Sequence, residues 1–350
     1  MRDVGNLFAD GYDFRRFDPE VETIAAAWRG MTVDQGREWQ PYTPSGSNPM
    51  RRRRTLEDCE WVVNNIIDPL GMNNSSFCFV KRKARLAAKE PNVHKLGIEK
   101  IVADLAYDLG VPVVPGCLWN PEPENPEKIW FLSLSPFPMD AKNTYTDYVA
   151  MNRTQEAFSD LPPKQQPRTV TQEALERRIL KEAAAINTAL WVFHVWIGDQ
   201  SEHKNSGNML ISLDEMKENG IRLASIDHAY AKLKFDPSPR FTNMRPTETY
   251  PFSGRNAGSR WSAPIDVDAA RAMFQRIAEY PRERLEEIVN RLPASLVSED
   301  KKQAWINGLM ESKEPTKKVI EKSLTKQVLE LPSETGIGSI GKKSASNLML

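Results

Sequence analysis

The chain has 350 residues, of which 40% are hydrophobic and 27% are charged, as in ordinary globular proteins. Basic and acidic residues both number 47, so no net charge favours nucleic acid or an anionic membrane as a partner. Three widely spaced cysteines suit neither a disulfide framework nor a zinc site, which favours a reducing compartment. The opening residues lack the apolar core of a signal peptide, and no apolar stretch approaches the roughly 20 residues of a membrane span. We therefore expect a cytoplasmic protein.

The first half of the chain predicts strands around one helix. A turn-rich loop, PYTPSGSNPM, is followed by SSFCFVKRK at 75–83, whose aromatic and β-branched residues predict a strand. LEDCEWVVNNII, between them, is ambiguous between helix and strand. LGIEKIVADLAYDLG has apolar residues at helical spacing and ends at a glycine, which predicts an amphipathic helix. VPVVPGCLWN and KIWFLSLS then predict two more strands.

The second half predicts mainly helices. A long helix is expected over 171–197, and its last turns, ALWVFHVWI, are apolar all round, so that end should be buried. NMLISL and IRLASID predict a two-stranded hairpin joined by DEMKENG. Residues 236–265 predict a loop, 266–325 predict three or four helices, and the small, polar residues near the C-terminus predict disorder.

Polar residues cluster at both edges of the predicted hairpin, in DQSEHKNSGNMLI before it and SIDHAYA at its end. Antiparallel pairing would bring Asn208 and Asp227 to the same end of the hairpin. Their short oxygen-bearing side chains suit Mg²⁺. A carboxylate in the preceding loop, Asp199 or Glu202, could accept a hydroxyl proton. The plain alternative makes Asn208 a turn residue and Asp227 a strand terminator.

Phosphoryl transfer also needs a cation on the phosphates. Lys81, at the end of the strand FCFVK, is the candidate, and Glu99 on the amphipathic helix is its natural orienting partner. Ser45, Gly46 and Ser47, in the loop before that strand, could offer backbone N–H groups to phosphate. Taken alone, residues such as Lys81 and Glu99 are most often surface residues. The order of glycine loop, Lys, Glu, polar cluster and Asp favours a kinase.

The motifs FVK, GIEKIVADLAYDLGVPVVPGCLW, VFHVWIGDQSEHKNSGNMLI and LASIDHAYA resemble those of the HipA-like kinases and their phosphoinositide-kinase-like relatives. The resemblance covers roughly residues 44–312, and its most specific parts are the Asp227 motif and the Leu109–Pro112 turn. It implies an ATP- and Mg²⁺-dependent enzyme with Lys81 on the ATP phosphates, Glu99 paired with Lys81, and Asn208 and Asp227 on the metal.

The resemblance also implies an α+β, bilobal, protein-kinase-like fold. An N-terminal extension would cover residues 1–43. The small β-rich N-lobe, with one helix, would span 44–139, and the mainly helical C-lobe would span 140–325. A disordered tail would follow over 326–350.

Two departures from the family pattern concern the catalytic details. The usual catalytic Asp lies five residues before the metal-binding Asn, and that position here is His203, whereas Asp199 lies nine before Asn208. Ala229 also stands where Gly is common. We expect Asp199 to be the base because the buried helix anchors it, with Glu202 and His203 as alternatives.

The resulting functional prediction is an ATP-dependent phosphotransferase that acts on a protein Ser/Thr hydroxyl. A lipid or small-molecule kinase is a close variant. A pseudokinase or nucleotide-gated binding module, in which the longer loop has lost the base, is the alternative from another class.

Overall fold

The computed structural model describes only part of the chain. The described residues are 13–15, 17, 22, 25–26, 28–29, 33–34, 39–42, 59–64, 78–81, 93–119, 130–134, 183–199, 209–213, 221–237 and 265–330. Among them, strands concentrate in the first half of the chain and helices in the second. The described residues therefore have the mixed α and β character expected from the sequence.

A six-stranded sheet is built from the first half of the chain, in the order β1-β5-β6-β4-β3-β2. The strand β1 pairs in parallel with β5, and every other neighbouring pair is antiparallel. The strands are β1 (Val33–Asp34), β2 (Trp39–Tyr42), β3 (Cys59–Asn64), β4 (Cys78–Lys81), β5 (Gly116–Trp119) and β6 (Trp130–Leu134). The ambiguous segment thus forms β3, and the strands predicted around residues 78, 117 and 131 are confirmed.

The predicted amphipathic helix is α1 (Val93–Leu109), which contacts β5 and β6. Leu105 and Leu109 are fully buried, as the helical spacing requires. The helix ends at Gly110, whose φ of 69° is left-handed. Gly110 N–H donates to Tyr107 O (3.2 Å) and Val111 N–H donates to Ala106 O (2.8 Å), the paired bonds of a Schellman ending.

The apolar segment before the polar cluster is α2 (Ala184–Ile197), in which every residue from Ile186 onward is buried. The prediction of one helix over 171–197 was wrong at its start: the helix begins at Ala184, and Ala183, with φ of −99° and ψ of 4°, is its N-cap. Ala183 makes no side-chain cap, so the sequence carries no signal for this start. Residues 171–182 lie outside the described part.

The predicted hairpin consists of β7 (Met209–Leu213) and β8 (Ile221–Ser225), which pair antiparallel. Four helices follow, within the predicted three or four: α3 (Val267–Glu279), α4 (Arg282–Asn290), α5 (Glu299–Glu311) and α6 (Lys313–Glu330). The last helix runs past residue 325, so residues 326–330 are helical and not part of a disordered tail. No helix among the described residues is long and apolar enough to cross a membrane.

One apolar core joins α1, α2 and the C-terminal helices. The helix α2 lies at its centre and contacts α3 and α6. The indole N–H of Trp196 donates to Leu309 O (2.9 Å), which satisfies a polar group buried inside the core. Burial of α2 on all sides fixes the position of its last residue, Ile197, and of Gly198 and Asp199 directly after it.

Candidate active site

The hairpin brings the start of β7 and the end of β8 together, because Met209 pairs with Ser225. Asp227 follows β8 at this end. Asn208, immediately before Met209, lies outside the described residues, so its closeness to Asp227 stays a prediction. The antiparallel pairing from which that closeness was inferred is present.

Asp227 has a left-handed backbone, with φ of 68°. Asp tolerates this region better than most residues, yet the conformation costs on the order of 1 kcal/mol and persists only where neighbours impose it. On one side of it, Ser225 N–H donates to Pro112 O (2.8 Å) and Val114 N–H donates to Ser225 O (3.0 Å). These bonds tie the end of β8 to the segment after α1. Backbone strain at a hairpin end is typical of a functional position.

Asp199 is anchored by the end of α2. Gly198 takes the left-handed conformation (φ 67°), and Asp199 N–H donates to His194 O (3.0 Å). The chain after β8 returns to this point, where Leu233 N–H donates to Ile197 O (2.9 Å). Asp199 is consequently held between the helix end and the returning segment, with an exposed fraction of 0%.

His228 connects Asp199 to α1. Its Nδ1 lies 2.8 Å from Asp199 Oδ2, and its backbone N–H donates to Glu99 Oε2 (3.0 Å). Exposed fractions are 1% for His228 and 4% for Glu99. Buried polar groups are expensive unless they are hydrogen-bonded, so these bonds strongly favour one arrangement of the three residues. We call Glu99, His228 and Asp199 the polar link; it spans α1, the residue after Asp227, and the end of α2.

The second ring nitrogen of His228, Nε2, takes no part in the hydrogen bonds of the polar link. This nitrogen is buried and has no hydrogen-bond partner among the described residues. The ring lies against the buried His194, with ring centroids 5.2 Å apart and planes at 40°. An Nδ1–H donor to Asp199 would leave the lone pair on Nε2.

The predicted site residues divide into those that the structure describes and those that it does not. Glu99, Asp199 and Asp227 lie around His228, as set out above. Lys81 ends β4, opposite Phe131 of β6, but its side chain is outside the described part, so the Lys81–Glu99 ion pair stays a prediction. The remaining predicted site residues also lie outside it: Ser45, Gly46, Ser47, Glu202, His203 and Asn208.

Sequence reasoning missed the polar link. The sequence assigned no role to His228 and paired Glu99 only with Lys81. The available signal was the sequence Asp227-His228 beside a buried strand, together with an Asp directly after an apolar helix. Neither fact specifies a contact between residues 29 positions apart.

Asp227 is chemically suited to a magnesium ion. Mg²⁺ is typically held by one or two carboxylates, with the other positions filled by substrate phosphates and water. In the described ranges, no group of three or more His, Cys, Asp or Glu residues could hold a metal.

Two buried acidic residues, Asp104 and Asp108, lie farther along α1, and Asp104 is paired within the helix. Lys100 Nζ donates to Asp104 Oδ1 (2.6 Å) and to Trp28 O (2.8 Å). Burial raises the pKa of Asp104 to about 7 although Lys100 acts in the opposite direction.

Asp108 accepts hydrogen bonds from Tyr280 OH (2.5 Å) and Arg284 Nε (2.8 Å), and it pairs with Arg29. Burial raises the pKa of Asp108, against the opposite effect of Arg29. These contacts fix the helix that carries Glu99.

Comparison with known proteins found no matching family model and no matching curated protein. Among solved structures, the chain is similar to one described as the crystal structure of a Helicobacter pylori proinflammatory kinase, CtkA. The match has a TM-score of 0.43 and 12% sequence identity, and it covers 85% of this chain and 99% of that chain. A likeness at this TM-score does not establish a shared fold.

Proposed function

We propose that this chain is an ATP-dependent phosphotransferase of the HipA-like type, with a bilobal kinase-like fold, that phosphorylates a protein Ser/Thr hydroxyl. The observation that carries the proposal is Asp227, held in a left-handed conformation at the end of the hairpin. The residues on both sides of it, Ser225 and His228, are fixed by hydrogen bonds to other elements. These bonds support Asp227 as a metal ligand, because they hold the backbone near it on both sides.

The proposal assigns ATP and Mg²⁺ to the end of the hairpin. Asp227 and Asn208 would hold the metal, and Lys81 would lie on the phosphates. When bound, the metal supplies neutralisation of the charge on the transferring phosphoryl group. Backbone N–H groups of residues 45–47 would contact phosphate.

The test is Asp227→Asn. This variant keeps the shape and the tolerance for a left-handed backbone but loses the charge of the metal ligand. We expect transfer from labelled ATP to fall by about 100-fold or more, because metal charge stabilisation is worth several kcal/mol. Intact mass after incubation with Mg-ATP would identify autophosphorylation.

The matched control is Asp300→Asn, at an exposed aspartate in the first turn of α5. It should leave transfer unchanged and lower stability by no more than the roughly 0.3–1 kcal/mol that an acidic residue contributes at a helix N-terminus. Full turnover in Asp227→Asn, with the wild-type protein active, would contradict the metal assignment.

A second candidate is a nucleotide-binding pseudokinase, favoured by one observation. The expected base, Asp199, has an exposed fraction of 0% and is hydrogen-bonded to His228. A pseudokinase would bind nucleotide, with or without Mg²⁺, and transfer no phosphate. Nucleotide affinity is measured with and without Mg²⁺, and transfer from labelled ATP is then tested with protein, lipid and small alcohol acceptors. Binding without transfer identifies a pseudokinase, and the acceptor that is labelled distinguishes a protein kinase from a lipid or small-molecule kinase.

A further inference from the structure

We propose that Asp199 is a positioning residue and not the proton acceptor: through His228 it holds Asp227 in place. This inference rests on the proposed phosphotransferase function and assigns a role within it. Glu202 and His203, the alternatives given by the sequence, stay the candidate proton acceptors.

The Asp199 carboxylate is not accessible to an acceptor hydroxyl. A general base must come within about 2.6–3.2 Å of the acceptor hydroxyl. Asp199 has an exposed fraction of 0%, and one of its oxygens already lies 2.8 Å from His228 Nδ1. Its backbone is tied to His194 O on one side, and its neighbour Gly198 accepts a hydrogen bond from Lys232 N–H (3.3 Å). A bulky protein acceptor would have to displace this packing to reach the carboxylate.

Hydrogen bonds connect Asp199 to the neighbour of Asp227. His228 follows Asp227 directly, and two elements hold it: Asp199 binds its ring and Glu99 binds its backbone N–H. Its carbonyl accepts a third hydrogen bond, from Ala231 N–H (2.9 Å). Releasing the ring would loosen the residue that keeps Asp227 in its left-handed conformation. Loss of Asp199 should therefore weaken the metal site.

The two roles demand different chemistry at position 199. A base needs an oxygen that can take a proton, which an amide cannot supply. A positioning residue needs only one hydrogen bond to His228 Nδ1. Asn supplies that bond in either orientation, through its oxygen to Nδ1–H or through its NH₂ to a bare Nδ1. The same reasoning applies at position 228, where an Asn amide nitrogen can stand near the place of Nδ1.

The experiment compares Asp199→Ala, Asp199→Asn, His228→Ala and His228→Asn in the full-length protein. Transfer from labelled ATP is measured over a range of Mg²⁺ concentrations, and the Mg²⁺ dependence of ATP binding is measured separately by calorimetry. We expect both Ala variants to lower turnover and to raise the Mg²⁺ concentration for half-maximal rate by about 10-fold, the effect typical of lost outer-shell partners of a metal. Both Asn variants should restore most of each loss. The Asp199→Ala/His228→Ala double variant should be no worse than either single one, because the two residues act as a unit.

Three results would overturn the inference. If Asp199→Asn is as inactive as Asp199→Ala and the Mg²⁺ dependence is unchanged, Asp199 is the proton acceptor. If His228→Asn is inactive while Asp199→Asn is active, the imidazole itself takes part in the reaction. If Asp199→Ala has wild-type turnover, neither role exists.

A wild-type protein that transfers no phosphate to any acceptor is a separate outcome. It contradicts the proposed function, and the positioning role falls with it. Should an Ala variant fail to fold, the two Asn variants still decide, because only a positioning role lets them work at normal Mg²⁺ concentrations.

Discussion

Gly198 sets the direction in which the chain leaves α2 toward Asp199. Its φ of 67° is open to glycine without steric cost. Space is restricted as well, because a Cβ at this position would lie 2.1 Å from Lys234 O. Both the conformation and the close approach of the returning segment therefore require glycine here.

We expect Gly198→Ala to lower the free energy of unfolding by about 2 kcal/mol or more, of which the left-handed conformation accounts for roughly 1 kcal/mol. The rest comes from displacing the Lys234 carbonyl. Chemical denaturation measures the total. Gly198→Asn separates the two causes, because Asn tolerates a left-handed backbone but still carries the clashing Cβ. An Asn variant much more stable than the Ala variant would contradict a dominant clash.

The hairpin pairing was predictable at the residue scale because its pattern is local, whereas the role of Asp227 as a metal ligand stays a prediction. Asp227 was singled out because a short polar residue follows an apolar strand, and the strand pairing that its role needs is present. The polar link was not foreseen, since Glu99 and His228 are 129 positions apart and meet only through tertiary packing. Hydrophobic spacing predicts which face of a helix is buried. It does not predict which buried carboxylate finds which N–H.

At the scale of elements, α1 is unusual in burying several charged residues, including Lys100 and Asp104. The pKa of Asp104 is raised by burial from 3.8 to about 7 in the folded protein. The native state then binds a proton at Asp104 more tightly than the unfolded state does. Its stabilising contribution is fully present below pH 3.8 and is lost as the pH rises through about 7.

Asp104→Asn tests this dependence, because the amide oxygen can still accept from Lys100 Nζ while the titration is removed. We expect the free energy of unfolding of the wild type, relative to the variant, to fall between pH 4 and pH 7 and then to level off, since the pKa of Asp104 is about 7. Urea denaturation at each pH measures it. Asp300→Asn, at an exposed position, is the control. A difference that rises with pH would contradict the raised pKa.

Most elements were predictable because their patterns are strong. The helix α1, the strands β4 to β8 and the helices after residue 265 follow from apolar spacing and from turn residues. The start of α2 was not predictable, because Ala183 makes no cap. The end of α6 was also missed, since polar residues that suit a loop equally suit the exposed face of a helix.

At the scale of the whole molecule, α1 belongs to the same core as the C-terminal helices. Arg276 of α3 donates from Nη1 to Leu109 O (3.0 Å), and Tyr280, just after α3, donates to Asp108. The helix that carries Glu99 is therefore held from the side of the C-terminal helices as well as from the sheet. Melting of α1 alone would expose fully buried residues such as Leu105.

The shared core predicts that α1 and the C-terminal helices unfold together. Trp28, near the N-terminus, and Trp191, in α2, are both fully buried and are two of the nine tryptophans that contribute to the fluorescence. We expect Trp fluorescence and far-UV circular dichroism to give one coincident transition in urea, as in two-state unfolding.

Tyr280→Phe removes only the hydrogen bond to Asp108, so it should lower the free energy of unfolding by about 1–3 kcal/mol and shift the urea midpoint accordingly. The slope with urea should stay unchanged, because the same surface is exposed. Two separate transitions, or a Tyr280→Phe variant in which fluorescence and dichroism no longer coincide, would show that α1 unfolds independently.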